Sequence, residues 1–278
     1  MLFYCKDKVF SLKPSKNAHP KRMSKVPSQY KFLDISDYGR PIARYIAKSF
    51  VNTSITPVQV TWMFIISGII AIVAMQYGYF ITAFFFLVLK SILDAADGEL
   101  ARLKQTPSYT GRYFDSVADI LLNAAIFYTL YTITSSSLLM TIISFACLQL
   151  QGTLYNYYYV ILRNKVDGDT TSRVFETKTP TALPGEKQQT VTLLFITYRI
   201  LYGGFDAIIY FLDKNAFTGS ILPNWFMTSL SFFGLGFQLL LIGILLLVGL
   251  KDVIIPLFIV LSVFVILFIA IRKLCYNS

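Results

Sequence analysis

Of 278 residues, 55% are hydrophobic and only 14% are charged, with a mean hydropathy of +0.59. A soluble domain of this size carries roughly a quarter charged residues, so a soluble globular protein is excluded and an all-α polytopic membrane protein is expected. The formal charge of +10 is uneven, with eleven Lys or Arg up to Lys48 opposed by Asp7, Asp34 and Asp37.

The basic arm comes first. It reads either as a surface drawn to anionic headgroups or as a positive-inside signal that fixes orientation alone. Both readings put the N-terminus in the cytoplasm, and with no accompanying motif a nucleic-acid partner is not expected. No cleavable signal peptide is expected, because the first apolar window follows about 57 polar and basic residues. Next, Ile42, Ile46 and Phe50 fall at i, i+4 and i+8 with Arg44 and Lys48 between them. That spacing predicts a short amphipathic juxtamembrane helix within residues 1–56.

Apolar windows of spanning length then predict six transmembrane helices: 57–77, 79–95, 113–134, 137–162, 226–249 and 252–272. The connections near 77, 135 and 250 together hold Lys251 and Asp252. Those near 98–112 and 163–224, and the tail 273–278, hold many Lys and Arg. Positive charge therefore collects on one side, which predicts both termini and the 163–224 insertion in the cytoplasm of a plasma or inner membrane. The apolar stretch 190–214 contains Arg199, Gly203, Gly204 and Asp206, and is read as an interfacial helix within the insertion rather than a seventh span. Tyr155, Tyr157, Tyr158 and Tyr159 read as an interfacial aromatic belt. Arg199, beside Tyr198 and Tyr202, suits either a phosphate or an anchoring role at the headgroups. Cys5, Cys147 and Cys275 lack metal-type spacing, and His19 is the sole histidine, so chemistry must rest on carboxylates, hydroxyls and cations.

Four such carboxylates stand where acids are costly. Asp94 and Asp97 share a face at the end of the second span; Asp115 and Asp119 share one at the start of the third. If the two helices touch, the four converge, and like charges that close require compensation. Hard divalent cations supply it: Mg²⁺ or Mn²⁺ rather than zinc, for want of Cys and His ligands. Gly98, Ala101 and Gly111 allow close approach, and Arg102 offers a fork for phosphate.

The run Asp94-Ala-Ala-Asp97-Gly98-Glu-Leu-Ala101-Arg102, then Gly111, Asp115 and Asp119 at the same intervals, resembles the signature of the CDP-alcohol phosphotransferases at all eight positions. Pro57 and Thr61 also resemble the family's first-span start, although Val58 stands where an Asn is usual and Gln59 is a candidate substitute. The resemblance implies a fold covering residues 57–272 and a homodimer. It implies a metal pair on Asp94, Asp97, Asp115 and Asp119, a CDP site lined by Gly98, Ala101, Arg102, Gly111 and Thr61, and Asp119 as general base. The implied reaction transfers a substituted phosphate from a CDP-linked donor to an alcohol or lipid acceptor, releasing CMP, in phospholipid synthesis among membrane lipids. CDP-diacylglycerol is favoured as donor because six spans make a minimal core; CDP-ethanolamine or CDP-choline with diacylglycerol as acceptor is the alternative. A cation transporter lined by aspartates is the rival from another class, but it predicts acids near mid-span.

Overall fold

The computed structural model describes residues 26–166 and 178–276. The basic arm up to Lys25, with Cys5 and His19, the loop residues 167–177 and the last two residues lie outside them. Among the described residues there are ten α-helices and no strand.

Helix α1 (Arg40–Phe50) is the expected amphipathic helix, and Ile46 and Phe50 of its expected apolar face pack against the core. Ala43 and Ala47 are buried against α3 while Ile42 is exposed, because small side chains let the two backbones come close. Helix α2 (Pro57–Gln76) begins with Pro57 in its first turn and a reciprocal cap between Thr56 and Gln59. It ends at Gly78, whose φ of +76° turns the chain into α3 (Phe80–Lys104). The two helices form a long antiparallel hairpin. Gln105, with φ of 55°, closes α3, and Lys104 donates to the carbonyls of Thr53 and Ile55, each at 2.7 Å.

Ser108 caps α4 (Tyr109–Ile133) by accepting from the Gly111 amide at 2.8 Å. With only residues 105–108 between them, the acidic end of α3 lies beside the acidic start of α4. Small residues set the spacing again, since a Cβ on Gly68 of α2 would stand 2.9 Å from Leu122 of α4. Helix α5 (Leu138–Lys165) returns antiparallel to α4. Its polar groups bond across helices: Ser144 donates to the Ile255 carbonyl and Gln151 to that of Phe258, each at 2.8 Å. In lipid such bonds replace the solvent that would otherwise satisfy these groups.

Helices α7 (Asn224–Leu230) and α8 (Leu235–Leu247) make one apolar element bent by 53° near Gly234. The bend accommodates the N-terminal segment: a Cβ on Gly236 would lie 2.0 Å from the Ser36 carbonyl oxygen, and the Ile35 amide donates to Ser231 at 2.9 Å. Helices α9 (Lys251–Leu261) and α10 (Val263–Cys275) complete the bundle.

Helices α2, α4, α5, α6 (Gln188–Leu212) and the 251–275 rod are long and apolar enough to cross a membrane, and the bent α7–α8 pair makes a sixth candidate. The protein is a multi-pass membrane protein. Helix α3 was also expected to span. It runs unbroken beside α2, and its charged end, from Lys90 to Lys104, sets it apart from the apolar rods.

Both ends of α6 are tied to one end of the bundle. Before it, Glu186 accepts from the Ser108 hydroxyl and the Thr110 amide at the start of α4, each at 2.7 Å. After it, Asp213 accepts from Tyr158 at 2.6 Å and pairs with Arg272, while Lys165 at the end of α5 donates to the carbonyls of Gly219 and Ser220. The start of α4 and the end of α5 are neighbours because the two helices form a hairpin. Helix α6 meanwhile leaves Leu193, Ile196, Ile200 and Phe211 exposed along one side.

Tyr155, Tyr157 and Tyr158 correct the expected aromatic belt. They are buried, with hydroxyls committed to Asp34 and Asp213. A buried tyrosine needs a partner for its hydroxyl, and here those partners tie α5 to the N-terminal segment and to the residue after α6.

Candidate active site

The α3–α4 junction brings the acids together as helical spacing requires. Oxygens of Asp94, Asp97 and Asp115 lie within 4.8 Å of one another. Asp97 is 7% exposed and accepts from the Thr61 hydroxyl at 2.7 Å. Thr61 thus meets a carboxylate of the cluster, and through it α2 sets that carboxylate's orientation. One oxygen of Asp115, Oδ1, is buried without a hydrogen-bond partner. Three hard oxygen donors converging from two helices, one of them idle, match the ligand preference of Mg²⁺ or Mn²⁺.

Asp119 falls outside this 4.8 Å group but within electrostatic reach of Asp97 and Asp115. It forms an ion pair with Lys90 of α3, whose side chain is 0% exposed and whose ammonium lies 5.1 Å from the Phe64 ring centroid. An ammonium in an apolar interior persists only against a negative partner. Three of the four acids thus converge within ligand distance of one another, and the fourth is ion-paired to Lys90, which also lies within electrostatic reach of Asp94 and Asp115.

The remaining signature positions line the approach. The Arg102 guanidinium lies over Gly98, where a Cβ would meet its terminal nitrogens at 3.6 and 3.7 Å. Its Nε is buried with no partner, a free donor beside the acids. One of the two terminal nitrogens, Nη2, also reaches Glu99 at 3.3 Å. Glu99, itself 4% exposed, also pairs with Arg40 and with Arg44, so α1 is bolted to α3 about half a turn beyond Asp97. Ala101 is half-buried one residue before Arg102. Gly111 sits against Ser108 and Val58, 3.3 and 3.6 Å from an added Cβ. Gln59 spends its carbonyl on the Thr56 amide at 2.8 Å, so it serves the helix cap and does not replace the missing Asn.

Helix α6 closes one side. Tyr198 and Tyr202 stack at 5.2 Å and Tyr198 meets Tyr113 at 5.4 Å between centroids. The Tyr202 hydroxyl donates to the Ser116 carbonyl at 3.1 Å and lies within electrostatic reach of Asp94, Asp115 and Asp119. Arg199 is exposed on the same helix. Lys90, Glu99 and Arg40 were not foreseen. Lys90 had a signal, since it precedes Asp94 by four residues on the same helical face. Cys147 and Cys275 are free thiols.

Apolar rods of spanning length around three converging carboxylates, only Asp97 of them fully buried, define an integral membrane protein with an acidic site. Within that class its family can be given. The model of the CDP-alcohol phosphatidyltransferase family matches residues 54–230, so the chain belongs to that family of phosphotransferases in phospholipid synthesis. The match covers α2 to α7 and stops short of α8 to α10. No curated protein matches the chain.

Proposed function

We propose that this protein transfers a substituted phosphate from a CDP-linked donor, CDP-diacylglycerol in the favoured form, to an acceptor alcohol with release of CMP. The observation that carries this is the division of the four aspartates into a converging trio and a separate Asp119 held by Lys90. A symmetric four-acid cage would suit cation storage or transport; a trio plus a distinct carboxylate suits binding of a diphosphate beside a base.

Asp94, Asp97 and Asp115 would hold one or two divalent ions, Mg²⁺ or Mn²⁺. When bound, these neutralise the charge that develops on the diphosphate. Arg102 binds a phosphate oxygen through the fork that includes its idle Nε, and Gly98, Ala101 and Gly111 leave room for the nucleotide. Thr61 orients Asp97. Asp119 takes the proton from the acceptor hydroxyl. The freed oxygen attacks the phosphorus farther from cytidine, forming a new P–O bond. The bridging P–O bond breaks, and its electron pair leaves with CMP. Lys90 keeps Asp119 turned to this task and out of the ion-binding set, so Asp119 acts as base and not as ligand.

The site would face the cytoplasm, in keeping with the concentration of Lys and Arg at that end. Helix α6 would lie at the interface there, its exposed Leu193, Ile196, Ile200 and Phe211 in lipid.

The test is CMP release by the purified protein in proteoliposomes with Mg²⁺, offered CDP-diacylglycerol, CDP-ethanolamine and CDP-choline in turn with cell-extract acceptors. Release from one donor, lost in Asp119→Asn and in chelator, is expected. No release from any donor, or full release by Asp119→Asn, would refute the assignment.

A further inference from the structure

The α4–α5 interface changes character near the site. Phe127 of α4 packs edge-on against Phe145 of α5 at 5.9 Å between centroids. Because the helices are antiparallel, one turn toward the acidic end leads from Phe127 to Asn123 and from Phe145 to Gln149. A second turn leads to Asp119 and Thr153. Aromatic packing thus gives way to a polar stretch directly below the proposed base.

Asn123 is 4% and Gln149 6% exposed. Asn123 Oδ1 and Gln149 Nε2 are buried without hydrogen-bond partners. Idle buried groups of this kind are uncommon in folded proteins. These two are complementary, one an acceptor and the other a donor, yet they are not bonded to each other. A hydroxyl meets both demands at once, its O–H donating to Asn123 Oδ1 and its oxygen accepting from Gln149 Nε2. An ammonium cannot accept, and an ester carbonyl cannot donate. Asn123 also lies one turn from Asp119 on α4, about 6 Å along the helix. A molecule with a reacting hydroxyl at Asp119 therefore needs a second hydroxyl to reach this pair. The nearby cation, Lys90, is occupied by Asp119, which leaves the pair suited to a neutral group.

We propose that Asn123 and Gln149 form the acceptor subsite, and that the acceptor is a polyhydroxylated alcohol held by one hydroxyl between them while a neighbouring hydroxyl meets Asp119. This rests on the transfer reaction proposed above and selects within it. Diacylglycerol, with a single hydroxyl, leaves Asn123 unsatisfied when that hydroxyl is at Asp119; a polyol does not.

The experiment uses the full chain in nanodiscs with Mg²⁺, as wild type, Asn123→Leu, Gln149→Leu and the hydrogen-bonding control Asn123→Ser. Glycerol and myo-inositol are the soluble probes and dioctanoylglycerol the lipid one. Two readouts are taken: the acceptor and donor KM from CMP release, and equilibrium binding of each probe to donor-free protein. The expected result is a polyol KM raised at least tenfold in both leucine variants with donor KM within twofold, a smaller rise in Asn123→Ser, and parallel losses in polyol binding. Unchanged polyol KM and binding in both leucine variants would mean that the pair holds a bound water only, and would overturn the proposal. So would use of dioctanoylglycerol in place of both polyols, or failure of either polyol to bind. If the transfer reaction itself is misassigned, the pattern differs: wild type releases no CMP from any donor, while loss of polyol binding in the leucine variants still reports on the subsite.

Discussion

Replacing Lys90 by Met removes a fully buried ammonium and leaves Asp119 without its counter-ion, beside the other carboxylates. Breaking a buried pair by deleting one partner costs about 3–5 kcal/mol. Asp119 retains some solvent contact, with a side chain 13% exposed, so the lower end, about 3 kcal/mol, is expected. Removing both charges together, in Lys90→Met with Asp119→Asn, leaves no orphaned ion. That double variant should be more stable than the summed single losses by about 2 kcal/mol or more, the size of coupling found between groups in direct contact. Turnover should separate from stability. Lys90 forms its ion pair with Asp119, so Lys90→Met should lower kcat by about 100-fold, as misplacement of a reacting group does. Unfolding of the four proteins in mixed micelles of rising SDS fraction gives the cycle, and CMP release gives the kinetics. Additive losses, or a Lys90→Met protein with wild-type turnover, would refute the idea that Lys90 and Asp119 act as a unit.

Thr61→Val keeps the shape of α2 but deletes the hydroxyl that Asp97 accepts from at 2.7 Å. Loss of a partner behind a ligating carboxylate should weaken Mn²⁺ binding by about 10- to 100-fold, read by electron paramagnetic resonance titration, with unfolding nearly unchanged. Gly236→Ala places a methyl 2.0 Å from the Ser36 carbonyl oxygen and should cost about 1–3 kcal/mol as an overpacked contact; an unshifted Tm in detergent would show that the N-terminal segment yields freely. Glu186 tests the tie between α6 and α4. Burial alone would raise its carboxyl, but donors from Ser108, Thr110 and Leu183 outweigh that and hold it below the ordinary value. Its stabilising share is therefore complete above the unfolded value of roughly 4.3 and is lost as pH falls through the lower native one. Thermal scans should show Glu186→Gln less stable than wild type at pH 7 by under about 1 kcal/mol, screened as the group is by solvent, with the gap closing in acid.

Whatever depends on periodicity and on spacing within one helix could be read from the sequence. The apolar windows gave most of the rods, though α6 joins them and α3 does not, and the intervals among Asp94, Asp97, Asp115 and Asp119 gave a shared site, because a hairpin with a four-residue connection leaves its ends no choice but to meet. Which side chain of one helix pairs with which of the next could not be read in that way. Lys90 and Asp119 are 29 residues apart, and in an apolar run the lysine looks like an interruption rather than a counter-ion. Ionisable residues inside a span are functional by default, and four residues ahead of Asp94 is the position from which a long side chain reaches the neighbouring helix. The amphipathic α1 was visible, and Ile46 and Phe50 pack inward as their spacing suggested, but its most deeply buried residues were not foreseen. Hydrophobicity pointed to Ile42, whereas close packing selects Ala43 and Ala47, since between membrane helices the gain comes from backbone proximity and not from withdrawing apolar area from water. The tyrosines of α5 were misread for a related reason. Tyrosine is favoured both at a headgroup layer and inside a protein that supplies a partner for its hydroxyl. The choice was made by Asp34 and Asp213, which lie 121 and 55 residues away in the chain from the tyrosines they bind. Composition can tell that a residue needs a partner, but only the fold can tell which one it meets, and that is why the acids were legible while Lys90, on the same hairpin, was not read as their counter-ion.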